Sequence, residues 1–358
     1  MGESTCHEAI EELQIPEFMK AIRYVEPKMF TLVTIPVPRP GANEVLIKVK
    51  SCGICGSDLH IHSGDLDTRM PVITGHETSG IVVKKGDTVS MFQLGNKVTA
   101  DNSELCGHCY YCRLGKPLYC ENFAAHGLHL NGGFAEYCVF PAEKLFCFEN
   151  LSWEEATLFE AASCAVHGIE RLRPAIGSQV LLIGSGPTGL CLSQLLKLNG
   201  GQHVVLASNR GCKMDLAKKL HVADQYVELD RENPETQWKA LRRQYSHGFD
   251  IVIEATGSHE ILERAIDFCT RGGTLLFYGV YPKDALIHVS PSKVFMDEIT
   301  MLGSHSQVWC MSQSVNYLES RKIDVNGIVD RTFDLSNFGK ALDVVRNKEC
   351  IKAAIVFN

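Results

Sequence analysis

Apolar and polar positions along the chain fall into three zones. Between residues 19 and 150 the apolar segments are short and broken by Gly and Pro, as in Val45-Leu-Ile-Lys-Val49 and Gly80-Ile-Val-Val83. Pro36, Pro38 and Pro40, followed by Gly41, mark a turn-rich connection. This pattern predicts an irregular, mostly β domain. The middle zone changes character. Val180-Leu-Leu-Ile183 is a continuous apolar run of strand length, followed by three glycines and a helical pattern from Leu190 to Leu198. Val204-Val-Leu206, Phe249-Asp-Ile-Val-Ile253 and Gly273-Thr-Leu-Leu-Phe277 read as further buried strands, and Lys213 to Leu220 is again helical. Strands alternating with helices predict β-α-β units and a parallel sheet. From about Val294 short segments and helices mix. Ala353-Ala-Ile-Val-Phe357 reads as a strand that could return to the first domain.

Composition bounds this picture without altering it. A chain of 358 residues is long for one core, so two domains are expected. A net charge of -7 argues against a nucleic-acid surface, which is basic. No apolar run is long enough to span a membrane. Met1 to Glu12 is acidic and has no apolar signal core, so no secretory signal is expected and a cytoplasmic location is. Fifteen cysteines without such a signal point to a reducing compartment, with zinc binding and buried thiols as their uses. Cys6, Cys138, Cys147, Cys164, Cys191, Cys212, Cys269, Cys310 and Cys350 have no partner at ligand spacing and are expected to be packing or surface thiols.

Cys106, Cys109, Cys112 and Cys120 form C-x2-C-x2-C-x7-C, a spacing that suits a tetrahedral tetrathiolate zinc. Such a site has no open position, so it holds structure. Further on, Gly184-Ser185-Gly186-Pro187-Thr188-Gly189 is G-x-G-x-x-G between a predicted strand and a predicted helix, the context a dinucleotide site needs. The next strand ends Leu206-Ala-Ser208-Asn209-Arg210, with no carboxylate before Asp215. NAD sites usually place Asp or Glu there for the ribose 2′-hydroxyl. Ser208, Asn209, Arg210 and Lys213 would instead accept a 2′-phosphate, which predicts NADP; the alternative is that Arg210 is an ordinary solvated charge.

Upstream, Cys52-Gly-Ile-Cys55-Gly-Ser57-Asp58-Leu-His60 precedes Gly75-His76-Glu77. Cys, His and Glu are all zinc ligands, and their scatter fits a catalytic site assembled by folding. A redox pair at Cys52 and Cys55, or a surface His-Glu pair, would read the same by spacing alone.

These motifs, in this order and over essentially the whole chain from about Met19, resemble the zinc-dependent medium-chain alcohol and polyol dehydrogenases. The resemblance implies a GroES-like catalytic domain over residues 1–159 and 295–358, and a Rossmann, doubly wound α/β domain for NADP over residues 160–294. It implies that Cys55 and His76 are ligands of a catalytic zinc, with Glu77 or Glu160 as the third ligand or a nearby alternate. The family usually has Pro after the latter Glu, where this chain has Ala161. Cys164 is a rival ligand, four residues late. Asp58 matches a group that orients the zinc-bound His, Ser57 the hydroxyl that takes the substrate proton, and His60 the outer end of a proton relay. A helix-capping Asp58 and a surface His60 are the structural alternatives. His126, His129, His167 and His305 have no ligand-like neighbours in sequence. The implied chemistry is hydride transfer between an alcohol and the nicotinamide, with zinc as Lewis acid.

Within that family, Ala162-Ser-Cys-Ala-Val-His-Gly168, Gly186-Pro-Thr-Gly-Leu190, Gln194-Leu-Leu-Lys-Leu-Asn-Gly200 and Pro291-Ser-Lys293 are similar to fungal D-arabinitol dehydrogenases. That implies oxidation of a five-carbon sugar alcohol to a ketopentose. The wider family resemblance implies a homo-oligomer, a dimer or tetramer, and the complete four-cysteine set beside the catalytic ligands predicts two zinc ions per subunit. No chemical reason in the chain selects five carbons over four or six. Xylitol, glucitol, a diol or a simple secondary alcohol stay open as substrates, as does NAD. A zinc-free quinone or enone reductase is disfavoured by Cys55, His76 and the four-cysteine set. A zinc-ribbon binding module is disfavoured by the acidic charge and the β-α-β unit.

Overall fold

The computed structural model describes residues 14–199 and 203–358. The expectations placed on Met1–Glu12, Cys6 and Gly200 lie outside the described residues. The first part of the chain forms β1 (Phe18–Glu26), β2 (Met29–Pro36), β3 (Glu44–Ile54), α1 (Gly56–Ser63), β4 (Val72–Ile73), β5 (Glu77–Lys85), β6 (Lys97–Ala100), β7 (Ser103–Glu104), α2 (Tyr110–Arg113), β8 (Ala124–Ala125), β9 (Tyr137–Pro141), β10 (Leu145–Cys147) and α3 (Trp153–Ala156). The second forms α4 (Phe159–Leu172), β11 (Gln179–Ile183), α5 (Pro187–Leu198), β12 (His203–Asn209), α6 (Cys212–Lys219), β13 (Gln225–Leu229), α7 (Glu235–Gln244), β14 (Phe249–Glu254), α8 (His259–Ala265), β15 (Cys269–Phe277), α9 (Pro291–Met296), β16 (Thr300–Gly303) and α10 (Met311–Glu319). Then come β17 (Val329–Asp334), α11 (Phe338–Arg346) and β18 (Lys352–Val356).

The apolar runs of the middle zone become a six-stranded sheet in the order β13-β12-β11-β14-β15-β16, with every pairing parallel. β11 is apolar throughout because both its faces are covered. Val180 and Leu182 enter the layer that holds α4, α5 and α10. Leu181 and Ile183 enter the layer that holds α7 and α8. Each such side chain, fully buried, contributes about 1.5–3 kcal/mol. Numbered along the chain, the strand order is 3-2-1-4-5-6, which reverses between β11 and β14, the switch point at which sheets of this order place their ligands.

The first body is built on β3, which pairs antiparallel with β5, β9 and β18. The larger sheet runs β10-β6-β5-β3-β18-β17, so β18 does return to it. The boundary expected at residue 294 needs correction. β16 pairs in parallel with β15, and α10 packs its Met311 and Leu318 into the same core as α4. The parallel unit therefore runs past α10, and the chain rejoins the first sheet at β17. The reason it is hard to read is that Thr300-Met-Leu-Gly303 keeps its side chains largely exposed, so no apolar run announces the strand. No helix among the described residues is long and apolar enough to cross a membrane.

Candidate functional site

Three neighbouring strands deliver the site. β3 ends at Ile54 and hands the chain to Cys55, which is the N-cap of α1. β5 begins at Glu77, directly after His76, and Glu77 sits in register with Gly53 of β3. β18 begins at Lys352, beside Ala353, which is in register with Ile54. One end of the sheet thus carries a thiol, an imidazole, a carboxylate and an ammonium. The ligand atoms of Cys55, His76 and Glu77 lie within 4.8 Å of one another.

Asp58 serves two neighbours. Its Oδ2 accepts the Cys55 backbone N–H at 2.8 Å, capping α1. Its Oδ1 faces His76 Nδ1 at 4.0 Å, and both atoms are buried without a hydrogen-bond partner among the described residues. The capping and orienting roles weighed for Asp58 are therefore compatible. The Ser57 hydroxyl lies 3.2 Å from His76 Nε2. His60 is half-buried, with Nδ1 3.8 Å from Asp65. Among the described residues no hydrogen bond joins Ser57 to His60, so a relay between them needs a bridging group.

Glu160 stands in the first turn of α4 and is buried. Cys164, one turn on, donates to its Oε1 at 3.4 Å. Glu77 accepts from the buried Lys352 Nζ at 2.8 Å. Burial pushes Asp58 up to about 6. It raises Glu160 as well, with Glu77 adding to the rise, and it drives the Cys164 thiol well up. Burial alone would lower Lys352, but Glu77, Cys55 and Glu160 hold its pKa above the usual range. Burial would likewise lower His76, and the Cys55 hydrogen bond and Asp58 charge outweigh it. Three buried carboxylates and a thiol thus gather around one buried ammonium and one imidazole. The S, N, O donor set fits a divalent, zinc-class cation.

The four-cysteine lobe has the matching geometry. The ligand atoms of Cys106, Cys109, Cys112 and Cys120 lie within 4.8 Å of one another. Cys120 Sγ is 3.5 Å from Cys106 Sγ and 3.9 Å from Cys109 Sγ. Tetrahedral zinc with 2.3 Å bonds sets sulfurs about 3.8 Å apart. Backbone N–H groups, that of His108 first, hold the Cys106 thiol down at about 5.

At the switch point of the parallel sheet, Gly184 has φ +119 and a Cβ on Gly189 would stand 2.3 Å from Gly184 O, so neither position takes a side chain without a shift. No heavy atom lies within 4 Å of where a Gly186 side chain would point. Gly186 caps α5 without a side-chain hydrogen bond, with Pro187 and Thr188 opening the helix, so its first N–H groups are open to a pyrophosphate. Ser185 donates to Ser208 at 2.7 Å. Arg210 Nε lies 3.6 Å from Glu228, the β13 residue in register with Ser208, and Lys218 pairs with the same carboxylate. Asn209 is exposed at the end of β12. Lys213 is the second residue of α6. Burial pushes its pKa down, and Cys350, Cys212, Lys348 and Asp330 are among the groups that act on it.

Sequence reasoning missed Lys352 and Tyr278. A single Lys opening an apolar strand reads as an edge. The Tyr278 hydroxyl is buried without a hydrogen-bond partner among the described residues. Its ring occupies the space a Gly168 side chain would need, and burial, with Cys164 and Glu160 nearby, raises the phenol. His167, expected to be solitary, and Cys310, expected to be a packing thiol, group with Glu170 within 4.8 Å. His126 likewise has a neighbour, Glu104, at 3.3 Å.

Comparison with known proteins agrees with this geometry. Residues 41–150 match the family described as alcohol dehydrogenase GroES-like domain, and residues 187–320 that described as zinc-binding dehydrogenase. D-arabinitol dehydrogenase 1 of Uromyces fabae is 48% identical over 341 residues, which is 95% of this chain and 98% of that protein. A Sinorhizobium meliloti protein solved with NADP superposes with TM-score 0.88 at 28% identity, covering 96% of this chain and all of that one. An Escherichia coli short chain alcohol dehydrogenase complexed with NADH gives TM-score 0.87 at 27% identity, with coverage of 96% and 100%.

Proposed function

The chain belongs to the zinc-dependent medium-chain alcohol and polyol dehydrogenases, NAD(P)-dependent oxidoreductases acting on CH–OH donors, and on that premise we propose that it oxidises D-arabinitol to a ketopentose with NADP. The observation that carries the substrate is the 48% identity to a D-arabinitol dehydrogenase along 95% of the chain. NADP is supported by the absence of a carboxylate at Ser208 and by the NADP-bound structural relative.

Cys55, His76 and Glu77 would hold the catalytic zinc, with Glu160 adjoining, and Cys106, Cys109, Cys112 and Cys120 a structural one, giving two per subunit. The catalytic ion supplies Lewis-acid polarisation of the substrate oxygen. The protein's own groups do the rest. Asp58 fixes the His76 ring. Lys352 holds Glu77 and offsets the buried charge. The Ser57 hydroxyl, beside His76, takes the substrate proton, and through a bridging group His60 with Asp65 would pass it to solvent. The open N-terminus of α5, with Gly184 to Gly189, holds the pyrophosphate, and Ser208 and Arg210 the 2′-phosphate.

A homo-oligomer is supported by β16, whose outer edge has no strand partner among the described residues and which carries exposed Met301, with exposed Phe295 and Met296 shortly before it in the chain. A cytoplasmic location is supported by the described cysteines, all of which are free. The test is a set of initial rates for D-arabinitol, xylitol, D-glucitol, a vicinal diol and a secondary alcohol, each with NADP and NAD. The reading expects the highest kcat/KM for D-arabinitol with NADP. A higher value for any other pair replaces it.

A further inference from the structure

His167, Glu170 and Cys310 stand apart from both zinc sites of the family, yet each brings a ligand atom to within 4.8 Å of the others. Two elements build the set. His167 and Glu170 are three residues apart on α4, so one turn places them on the same face. Cys310 is the residue before α10, which packs on α4. Its Sγ lies 3.7 Å from Glu170 Oε2 and 3.3 Å from Val308 O. The thiol is buried, the imidazole half-buried and the carboxylate exposed, so the group is open to solvent on the Glu170 side. Nitrogen, oxygen and sulfur from three side chains suit zinc, with the fourth position left for water, whereas calcium and magnesium favour oxygen alone.

We propose that His167, Glu170 and Cys310 form a third cation site for zinc-class ions, and that its occupancy slows turnover. Binding exchanges the Cys310 thiol proton, released to solvent, for a bond from Sγ to the ion; no electrons move. The reason for an effect on turnover is the position of Cys310. The connection from β16 to α10 crosses to the other domain, where Gln307 Nε2 donates to Asp101 Oδ1 at 2.8 Å. Gln307 Oε1 also accepts the Cys310 N–H at 3.3 Å. Ser306 and Trp309 in this connection hold φ of 50 and 58, so its shape is imposed by its surroundings. The partner element, α4, carries Glu160 in its first turn and Cys164 one turn further on. An ion at this point ties the helix that carries Glu160 to the connection whose Gln307 contacts the first body. Coenzyme exchange commonly requires domain or loop opening, and the tie opposes it.

The experiment titrates the zinc-loaded holoenzyme with cadmium chloride, following thiolate-to-cadmium absorption, heat of binding and the rate of polyol oxidation. One further equivalent per subunit is expected to bind in the micromolar range and to lower the rate. Glu170→Gln, on the surface, and Cys310→Ser should each weaken binding roughly tenfold or more, keep the basal rate and relieve the inhibition. Uptake that is absent below millimolar cadmium, or equal in wild type and both variants, overturns the site. Uptake that leaves the rate unchanged overturns the regulatory role.

Discussion

Replacing Ser208 by Asp probes the coenzyme pocket most directly. Ser208 ends β12 in parallel register with Glu228 of β13, so the two Cα atoms are about 4.8 Å apart. The new carboxylate would face Glu228, whose charge is already matched by Arg210 and Lys218. Two unit charges about 5 Å apart repel by about 0.8 kcal/mol in water and about 3 kcal/mol at an effective dielectric of 20. A 2′-phosphate entering this pocket meets the same repulsion, so NADP should lose about 1–3 kcal/mol. NAD gains an acceptor for its ribose hydroxyl, worth about 1 kcal/mol. The preference should therefore swing toward NAD by about 2–4 kcal/mol, or roughly thirtyfold to several hundredfold. The measurement is kcat/KM for both coenzymes at saturating polyol and at two ionic strengths, the swing shrinking in high salt. A ratio unchanged within about threefold would show that the 2′-group binds elsewhere and refute the assignment of this strand end.

Other perturbations separate the remaining roles. Cys55→Ser or His76→Ala should abolish turnover while reduced coenzyme still binds, read by its fluorescence; surviving activity in either variant sinks the catalytic zinc assignment. Lys352→Met leaves the Glu77 charge buried and unpaired, and should destabilise the zinc-free protein by about 3–5 kcal/mol. Zinc should recover part of that loss in denaturant titrations, and an equal loss with and without zinc would contradict the shared charge. Cys109→Ser should lower the unfolding temperature and the zinc content by one ion per subunit. Its kcat per folded molecule should stay close to that of the parent, and a selective collapse of kcat would show that the lobe takes part in chemistry. Arg210→Ala should raise KM for NADP several-fold and leave that for NAD unchanged; parallel changes would return Arg210 to the status of a solvated loop charge.

Where side chains enter a core on both faces, the apolar run was readable, and β11, β12, β14 and β15 all lie where such runs occur. Edge strands carry no such mark. β13 is half-buried and β16 largely exposed, so both escaped a reading based on hydropathy. The local ligand groups were readable because Cys55, Ser57 and Asp58 share one capped turn, and Cys106 to Cys120 one lobe. What stayed hidden depends on topology. Lys352 meets Glu77 only because β18 enters beside β3. His167 meets Cys310 only because α10 packs on α4.

The insertion of the β18 strand beside β3 also sets an order of events during synthesis. The Lys352 ammonium that meets the Ile54 carbonyl is separated from it by 298 residues. At about 5–20 residues per second a ribosome needs roughly 15–60 s to make that interval. Throughout it, β3 has an open hydrogen-bonding edge next to Cys55, and Glu77 has no ammonium beside it. The parallel unit, whose strands are contiguous in sequence, can be complete before the first sheet closes. The nascent chain would therefore present a finished coenzyme fold and an unsealed metal pocket, and early metal loading or a chaperone on the β3 edge would act in that window.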